Sequence, residues 1–239
     1  MGTTIKSARR REGLARRQLR AARPRDIELA ERVTNTLLRA TDAITPEEVT
    51  QADVVIAGLV TNAANAYLKT LDLATSGYAL LANGLVRLIY ENMVSIAFIG
   101  REPARASRWV DKEATRRLPD MKDMEREVTA DEHLREQLRT IRETLNLFAH
   151  ASRLAWWRSH GLNEWGSVGY RLGPTWSVDE LEDVLFPLLW MGSLVCDAVQ
   201  DRYSADLDRS WVEEANAVGE AVHAWLDDYN ASRAARRKS

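Results

Sequence analysis

Two segments of the sequence place ionisable or amide side chains on helical stripes that are otherwise apolar. Arg87 and Glu91 are four residues apart in LVRLIYENMVSIAFIG, and Asn146 and His150 are four apart in LNLFAHAS. Residues four apart share one face of a helix. Because a charge in apolar surroundings is costly unless it is paired or used, both segments are candidates for a functional site.

The chemistry open to these side chains is acid–base catalysis and phosphate binding. An imidazole titrates near neutral pH and can move a proton, while a guanidinium group matches the oxygens of a phosphate. Each residue also has a structural interpretation. Arg87 and Glu91 can be an ion pair that ties helices together, and His150 can be a hydrogen-bonded core residue. The residues alone leave both interpretations open.

The elements that must position these side chains are predicted to be helices. Apolar residues recur at three- and four-residue steps, and only six prolines and twelve glycines interrupt 239 residues. This pattern predicts an all-α helical bundle of about six to eight helices. Thr45-Pro46-Glu47-Glu48 predicts the start of a helix that runs toward Leu73. The next helix is expected from Gly77 to Ile99, with Gly100 as its stop signal.

The second half of the chain is predicted to combine helices with one irregular insertion. Capping sequences predict further helices from Thr129 to about Ser159, from Ser177 to about Tyr203 and from Ser210 to about Asn230. Between the first two lies GLNEWGSVGYRLGPTW, residues 161 to 176, with four glycines and one proline. This composition predicts a structured Gly/Trp-rich loop or a short hairpin.

Charge divides the chain into three predicted parts. Residues 1–25 contain nine lysine and arginine residues and one acidic residue, and are predicted to form a basic N-terminal arm. Residues 26–230 are predicted to form a single helical domain, and 231–239 a disordered basic tail. The arm has the charge to bind nucleic acid, an anionic membrane or an acidic partner, or to dock on the acidic body of the same chain. Its candidate nucleic-acid-binding residues are Arg9, Arg10, Arg11, Arg16 and Arg17.

The cysteine, the histidines and the uncharged stretches indicate which cellular compartment and which cofactors to expect. Cys196 is the only cysteine, which is typical of a reduced, cytoplasmic protein. The longest uncharged stretch, residues 54–68, is too short to span a membrane, so no membrane partner is expected. His133, His160 and His223 share no metal-ligand spacing. We therefore expect neither a metal site nor a cofactor.

The order of the two polar segments resembles that of the HEPN-related helical proteins, and of bacterial families allied to abortive phage infection proteins. The resemblance rests on RLIYENMVSIAFI at residues 87–99 and LNLFAHAS at residues 145–152, separated by an arginine-rich helix. It extends over roughly residues 52–159. Many HEPN proteins are metal-independent ribonucleases built on a helical bundle and often assembled as dimers. The resemblance thus implies RNA as partner, a homodimer, and a role in phage defence or as a toxin.

The resemblance also implies roles for individual residues. His150 would act as acid or base at an RNA 2′-hydroxyl, with Asn146 on the same helix face. Seven residues separate Arg142 from His150, more than in the usual catalytic pattern of these proteins. Arg142 is therefore expected to contact nucleic acid, while Arg87 acts as the phosphate clamp and Glu91 orients Arg87 or His150.

Two other functions fit the same sequence. In the first, the chain is a non-enzymatic helical interaction protein whose polar residues only fix the register of the helices and whose arm binds a partner. In the second, the arm binds DNA. Composition does not separate these from RNA cleavage.

Overall fold

The computed structural model describes residues 4–111, 118–149, 160–162, 168–170, 174 and 176–236. Over these residues the predicted all-α bundle is confirmed. Its helices are α1 (Ile5–Ala22), α2 (Pro24–Ala43), α3 (Gln51–Thr75), α4 (Ala79–Arg101), α5 (Ser107–Val110), α6 (Met121–Val128), α7 (Glu132–Ala149), α8 (Val178–Tyr203) and α9 (Arg209–Arg236), with a 3-10 turn at Pro103–Ala106. Two short antiparallel strands, β1 (His160–Leu162) and β2 (Val168–Tyr170), form a hairpin in the glycine-rich insertion.

The start of α3 differs from the prediction, which placed it at Thr45. The helix is capped by Thr50, whose hydroxyl accepts from the Asp53 amide while the Asp53 carboxylate accepts from the Thr50 amide. Thr45 is instead held by a tertiary contact, because both its amide and its hydroxyl donate to the carbonyl of Asp206 in the α8–α9 connection. The second capping sequence, five residues downstream, therefore starts the helix.

Gly77, just before α4, and Gly100, in its last turn, act differently from one another. Gly77 has a φ of 87° and ends α3 through a 3.1 Å hydrogen bond from its amide to the Ala74 carbonyl. Gly100 was predicted to stop α4, but the helix continues to Arg101. A Cβ at position 100 would lie 3.3 Å from Cβ of Arg202, so this glycine allows α4 and α8 to approach closely.

The starts of α7, α8 and α9 can also be compared with the predictions. α8 begins after the Ser177 cap and ends at Tyr203, as predicted. α7 begins after Asp131, whose carboxylate accepts from the amides of His133 and Leu134, rather than at Thr129. The cap of α9 is Asp208 and not Ser210, since the Asp208 carboxylate accepts from the Trp211 amide.

The C-terminal end of α9 extends past the predicted boundary. The helix continues to Arg236, six residues beyond Asn230. Arg233 pairs with Asp183 at 3.2 Å and Arg236 with Asp179 at 3.3 Å, so the last helical turns are tied to the start of α8. This part of the predicted disordered tail is therefore helical.

α4 is the central helix of the bundle and packs against α3, α6, α7 and α8. Its burial on several sides explains why apolar residues occupy most of its circumference. α2 and α3 pack on α8 in turn, and side chains of both lie within 2.5 Å of where a Cβ at Gly192 would be. α3 is long and apolar enough to cross a membrane, and 44% of its most apolar window is buried in the fold, which is also typical of a core helix.

The basic N-terminal segment is a helix docked on the rest of the chain. Ala15 and Leu19 of α1 are buried. Arg16 pairs with Asp72 at 2.6 Å, and the Tyr78 hydroxyl donates to Glu12 at 2.7 Å. These contacts fix α1 beside the turn between α3 and α4. Docking of the arm on its own body, one of the alternatives open from sequence, is what the structure shows.

Candidate functional site

A buried polar cluster joins α4, α6 and α7. The hydroxyl of Tyr90 donates to the Glu125 carboxylate, and Arg142 Nε lies 3.2 Å from Oε1 of the same carboxylate. The side chains of Arg142 and Glu125 are only 11% and 5% exposed. Arg142 was predicted to contact nucleic acid, but its position in the interior, beside a carboxylate, does not fit that contact. Its charge is used to compensate Glu125.

Burial also changes the protonation behaviour of this cluster. Burial raises the pKa of Glu125 above its ordinary value, although the Tyr90 hydrogen bond and the Arg142 charge oppose the shift. Burial and the neighbouring Glu125 together raise the pKa of the Tyr90 hydroxyl. Tyr90 therefore stays a hydrogen-bond donor, and the cluster holds three helices together.

Arg87 and Glu91 form a separate pair at the edge of α4. Arg87 Nε lies 2.8 Å from Glu91 Oε1, and the two side chains are 31% and 36% exposed. The apolar sequence around them suggested deeper burial. The pair lies where α4 meets solvent, so its two charges are reachable by a ligand without unfolding.

The other predicted catalytic residues lie on or beyond α7. Asn146 is partly buried, and its Oδ1 has no hydrogen-bond partner among the residues that the structure describes. His150 lies outside the described residues. Sequence reasoning missed Asn83, which precedes Arg87 by one helical turn on α4. Asn83 is 2% exposed, and its Nδ2 likewise finds no partner in the described part of the chain.

A groove of about 840 Å³ runs between α7 on one side and α8 and α9 on the other. We call it the aromatic groove, because one wall carries Phe186 and Trp190 of α8 and Tyr229 of α9. The α7 wall carries polar side chains, among them Gln137 and Thr140. Asn83, Ile141 and Leu145 also line it. This volume lies in the range of pockets that bind small molecules.

The exposed face of α1 is strongly basic. Lys6, Arg9, Arg10 and Arg17 are exposed and fall within about 100° of the helix circumference. We call these four residues the basic stripe. Glu12, the acidic residue of α1, lies off this face and accepts from Tyr78. Arg11 and Arg16, also predicted to bind nucleic acid, lie outside the stripe, and Arg16 is engaged by Asp72 and Ser76.

Among the residues that the structure describes, no three histidine, cysteine or acidic side chains lie close enough together to hold a metal ion. His133 is within 3.0 Å of Gln137, and the His223 ring is 2.9 Å from the Gly219 carbonyl. Both imidazoles are thus engaged by neighbours on their own helices.

Comparison with known proteins places the chain in a family. A family model described as "Family of unknown function (DUF5677)" matches residues 53–172, half of the chain. The chain belongs to this family. No match was found among curated proteins or solved structures.

The DUF5677 region contains the polar residues of α4, α6 and α7, but neither α1 nor the aromatic wall. Arg87, Glu91, Glu125, Arg142 and Asn146 all fall within residues 53–172. The basic stripe and the rings of α8 and α9 are contributed by segments on either side of the matched region. In this chain, the segments before and after the matched region therefore supply the basic stripe and the aromatic wall of the groove.

The sequence contains a signal for Asn83 and for Glu125, neither of which was predicted from it. Asn83 interrupts the apolar run of α4 four residues before Arg87, which is the spacing that singled out Arg87 and Glu91. Glu125 falls four residues after Met121 and next to Met124, on the apolar face of α6. A carboxylate at such a position predicts a buried partner.

Proposed function

We propose that this DUF5677 chain is a HEPN-like RNA-binding protein, with RNA cleavage at a site that includes Arg87, Glu91, Asn146 and His150. The observation that carries the proposal is the basic stripe of α1. RNA affinity comes largely from contacts between cations and phosphates. A docked helix holds the backbone of those residues in place, so little backbone order has to be gained on binding.

The stripe has the dimensions of a short nucleic-acid contact. Lys6 and Arg17 are eleven residues apart, which corresponds to about 16 Å along a helix. The four cations of the stripe have no ion-pair partner among the described residues. Their charge is thus available to phosphates instead of being neutralised within the fold.

The start of α4 is the part of that helix that lies next to α1. Tyr78, which binds Glu12 of α1, directly precedes α4, and Arg87 lies about 13 Å further along that helix. In this proposal, a strand held on α1 extends toward the exposed Arg87–Glu91 pair. Arg87 would bind a phosphate, and Glu91 would hold the guanidinium group in place.

Salt dependence tests the role of the stripe. Replacing Arg9, Arg10 and Arg17 together with alanine should lower the slope of log K against log salt by about 2 for single-stranded RNA, because three counterion-releasing contacts are lost. Fluorescence anisotropy with an oligouridine of about 12 nucleotides, over a salt series, measures this slope.

The matched control removes the same charge elsewhere. Arg126, Arg139 and Arg209 are exposed arginines in short intrahelical pairs on α6, α7 and α9. Their triple alanine variant changes net charge equally and should leave the slope unchanged. Equal slopes for the two triple variants would mean that only net charge matters and that the stripe is not a binding surface.

Cleavage is tested by single substitutions in the full chain. Arg87→Ala and His150→Ala should each lower the rate of RNA cleavage by at least about a hundredfold, the usual contribution of acid–base or phosphate-positioning groups. Gel analysis of structured RNA, with and without a chelator, measures the rate. Arg108→Ala, at an exposed arginine of α5, is the control.

The outcomes separate the two parts of the proposal. Cleavage that survives the chelator supports a metal-independent reaction. If Arg87→Ala and His150→Ala both cleave as fast as the wild type, the assigned site is wrong. RNA binding through the stripe would be unaffected by that result.

A second candidate function is a non-enzymatic interaction protein. The observation in its favour is the internal use of the polar residues: Arg142 compensates buried Glu125, and Arg87 is held by Glu91. Such pairs fix the register of neighbouring helices without taking part in a reaction. Wild-type protein that binds RNA or another partner through α1, but shows no cleavage at any pH between 5 and 9, roughly the range where imidazole titrates, would favour this alternative.

A further inference from the structure

The aromatic groove contains a buried amide that none of the described residues satisfies. Asn83 is 2% exposed and lines the groove, and its Nδ2 has no hydrogen-bond partner within the described ranges. An unpaired buried amide reduces stability, since it has lost its hydrogen bonds to water without replacing them. A ligand with a hydrogen-bond acceptor in the groove would supply the missing partner.

The wall of α8 and α9 suits a flat ring. Phe186 stacks on Tyr229, with ring centroids 4.9 Å apart and an angle of 29° between planes. Tyr229 stacks in turn on Trp225 at 5.2 Å and 17°, and Phe186 contacts Trp190 at 6.2 Å with the two rings inclined at 60°. Arg233 donates to the Tyr229 hydroxyl at 2.6 Å and fixes that ring. The rings hold one another in place, so the wall is formed before a ligand arrives.

The opposite wall suits a polar ring edge. Gln137, Thr140 and Thr144 of α7 line the groove across from the rings. The two threonine hydroxyls donate to carbonyls one turn earlier on α7, so they present acceptor oxygens to a ligand, and the Gln137 amide nitrogen lies 3.0 Å from His133. A ligand that stacks on one side and forms hydrogen bonds along its rim therefore matches both walls. Nucleobases have this combination of a π-face and a polar edge.

Charge decides which part of a nucleotide can enter. Among the described residues, Glu136, Asp183 and Asp227 line the groove, against one arginine, Arg233, which is paired with Asp183 at 3.2 Å. Carboxylates at the rim disfavour a phosphate and tolerate a neutral base. Phosphates bind instead to α1. Arg23, which follows the last residue of α1, pairs with Glu182, and Glu182 directly precedes the groove residue Asp183.

We propose that the aromatic groove binds one unpaired base of the RNA strand whose phosphates lie on the basic stripe. This inference rests on the proposed RNA binding and adds the groove as the base-binding subsite. Asn83 donates to the base edge, and Trp190 stacks on its face, while Phe186, inclined at 60° to Trp190, contacts the base by its edge. The protein thus selects single-stranded over double-stranded RNA, because a paired base is not free to enter.

The test uses two variants of the groove and one control. Asn83→Leu keeps the branched shape and the number of heavy atoms of the side chain and removes the unsatisfied amide, so its melting temperature should equal or exceed that of the wild type. Trp190→Leu removes part of the stacking wall. Trp109→Leu alters a partly buried tryptophan that packs on Phe98, away from the groove.

The probes separate base contacts from phosphate contacts. They are an oligouridine, the same oligomer with abasic riboses, and inorganic polyphosphate. Asn83→Leu and Trp190→Leu should each weaken oligouridine binding by about tenfold, the usual loss for one hydrogen bond or one stacked base. Neither should change binding of the abasic oligomer or of polyphosphate, and Trp109→Leu should change nothing.

Each result bears on a different claim. If both groove variants bind oligouridine as tightly as the wild type, the base-binding subsite is wrong. If binding depends on the groove but not on Arg9, Arg10 and Arg17, the phosphate-binding surface is wrong and the subsite stands. Equal binding of intact and abasic oligomers by the wild type also overturns the inference.

Discussion

Gly192→Ala is expected to destabilise the fold by about 3 kcal/mol or more, since it inserts a methyl group into a closely packed core. A Cβ at position 192 would lie 2.5 Å from Cγ1 of Val33 and 2.5 Å from Cε2 of Tyr67. Both residues are fully buried, so neither has room to move away. Urea unfolding followed by circular dichroism measures the change.

The chain supplies a matched control for this substitution. A methyl group added at Gly58, within α3, would meet no described atom within 4 Å, and Gly58→Ala should stabilise the protein by up to about 1 kcal/mol through helix propensity. A second test is Val33→Ala combined with Gly192→Ala. Removing Cγ1 should recover part of the loss, with a coupling energy of about 1 kcal/mol or more. Equal stability of Gly192→Ala and wild type would contradict the close approach.

The close approach at Gly192 is a feature that sequence could not predict. A glycine inside a helix has a propensity cost in every context, and the sequence does not distinguish Gly58, which faces solvent, from Gly192, which faces two other helices. The helix itself was predictable. Ser177 and the acidic first turn predicted the start of α8, and the prediction held to Tyr203.

Local capping patterns failed where a tertiary contact competed with them. Thr45 and Thr50 both begin acceptable capping sequences, and only the contact of Thr45 with Asp206 decides between them. That contact joins residues far apart in the chain. The start of α3 therefore follows from the packing of the α8–α9 connection, which no local pattern encodes.

Apolar sequence around a charge also proved an imperfect measure of burial. Arg87 and Glu91 are each about one-third exposed because α4 contacts neighbours on most, but not all, of its circumference. The deeply buried charge is Glu125, on the short and highly charged helix α6. Its position on the apolar face was visible in the sequence. Its partners Tyr90 and Arg142 depend on how α4, α6 and α7 converge.

Arg142→Ala is expected to destabilise the protein by about 3–5 kcal/mol, because it leaves the Glu125 carboxylate buried without a compensating charge. The Tyr90 hydrogen bond alone does not replace a full positive charge. Arg139→Ala on the same helix is the control. Arg139 is half exposed and pairs with exposed Glu136 and Glu143, so its loss should leave stability nearly unchanged.

The pH dependence of this loss identifies Glu125 as its cause. The folded-state pKa of Glu125 is already raised by burial, and losing Arg142 should raise it further. A carboxyl with a raised folded-state pKa favours folding below its ordinary pKa, and this contribution is lost as pH rises through the folded-state value. The loss of stability caused by Arg142→Ala should therefore be smallest at acidic pH and should increase toward neutral pH. Adding Glu125→Gln should remove most of that pH dependence, whereas a loss equal at all pH values would mean that Arg142 acts through packing alone.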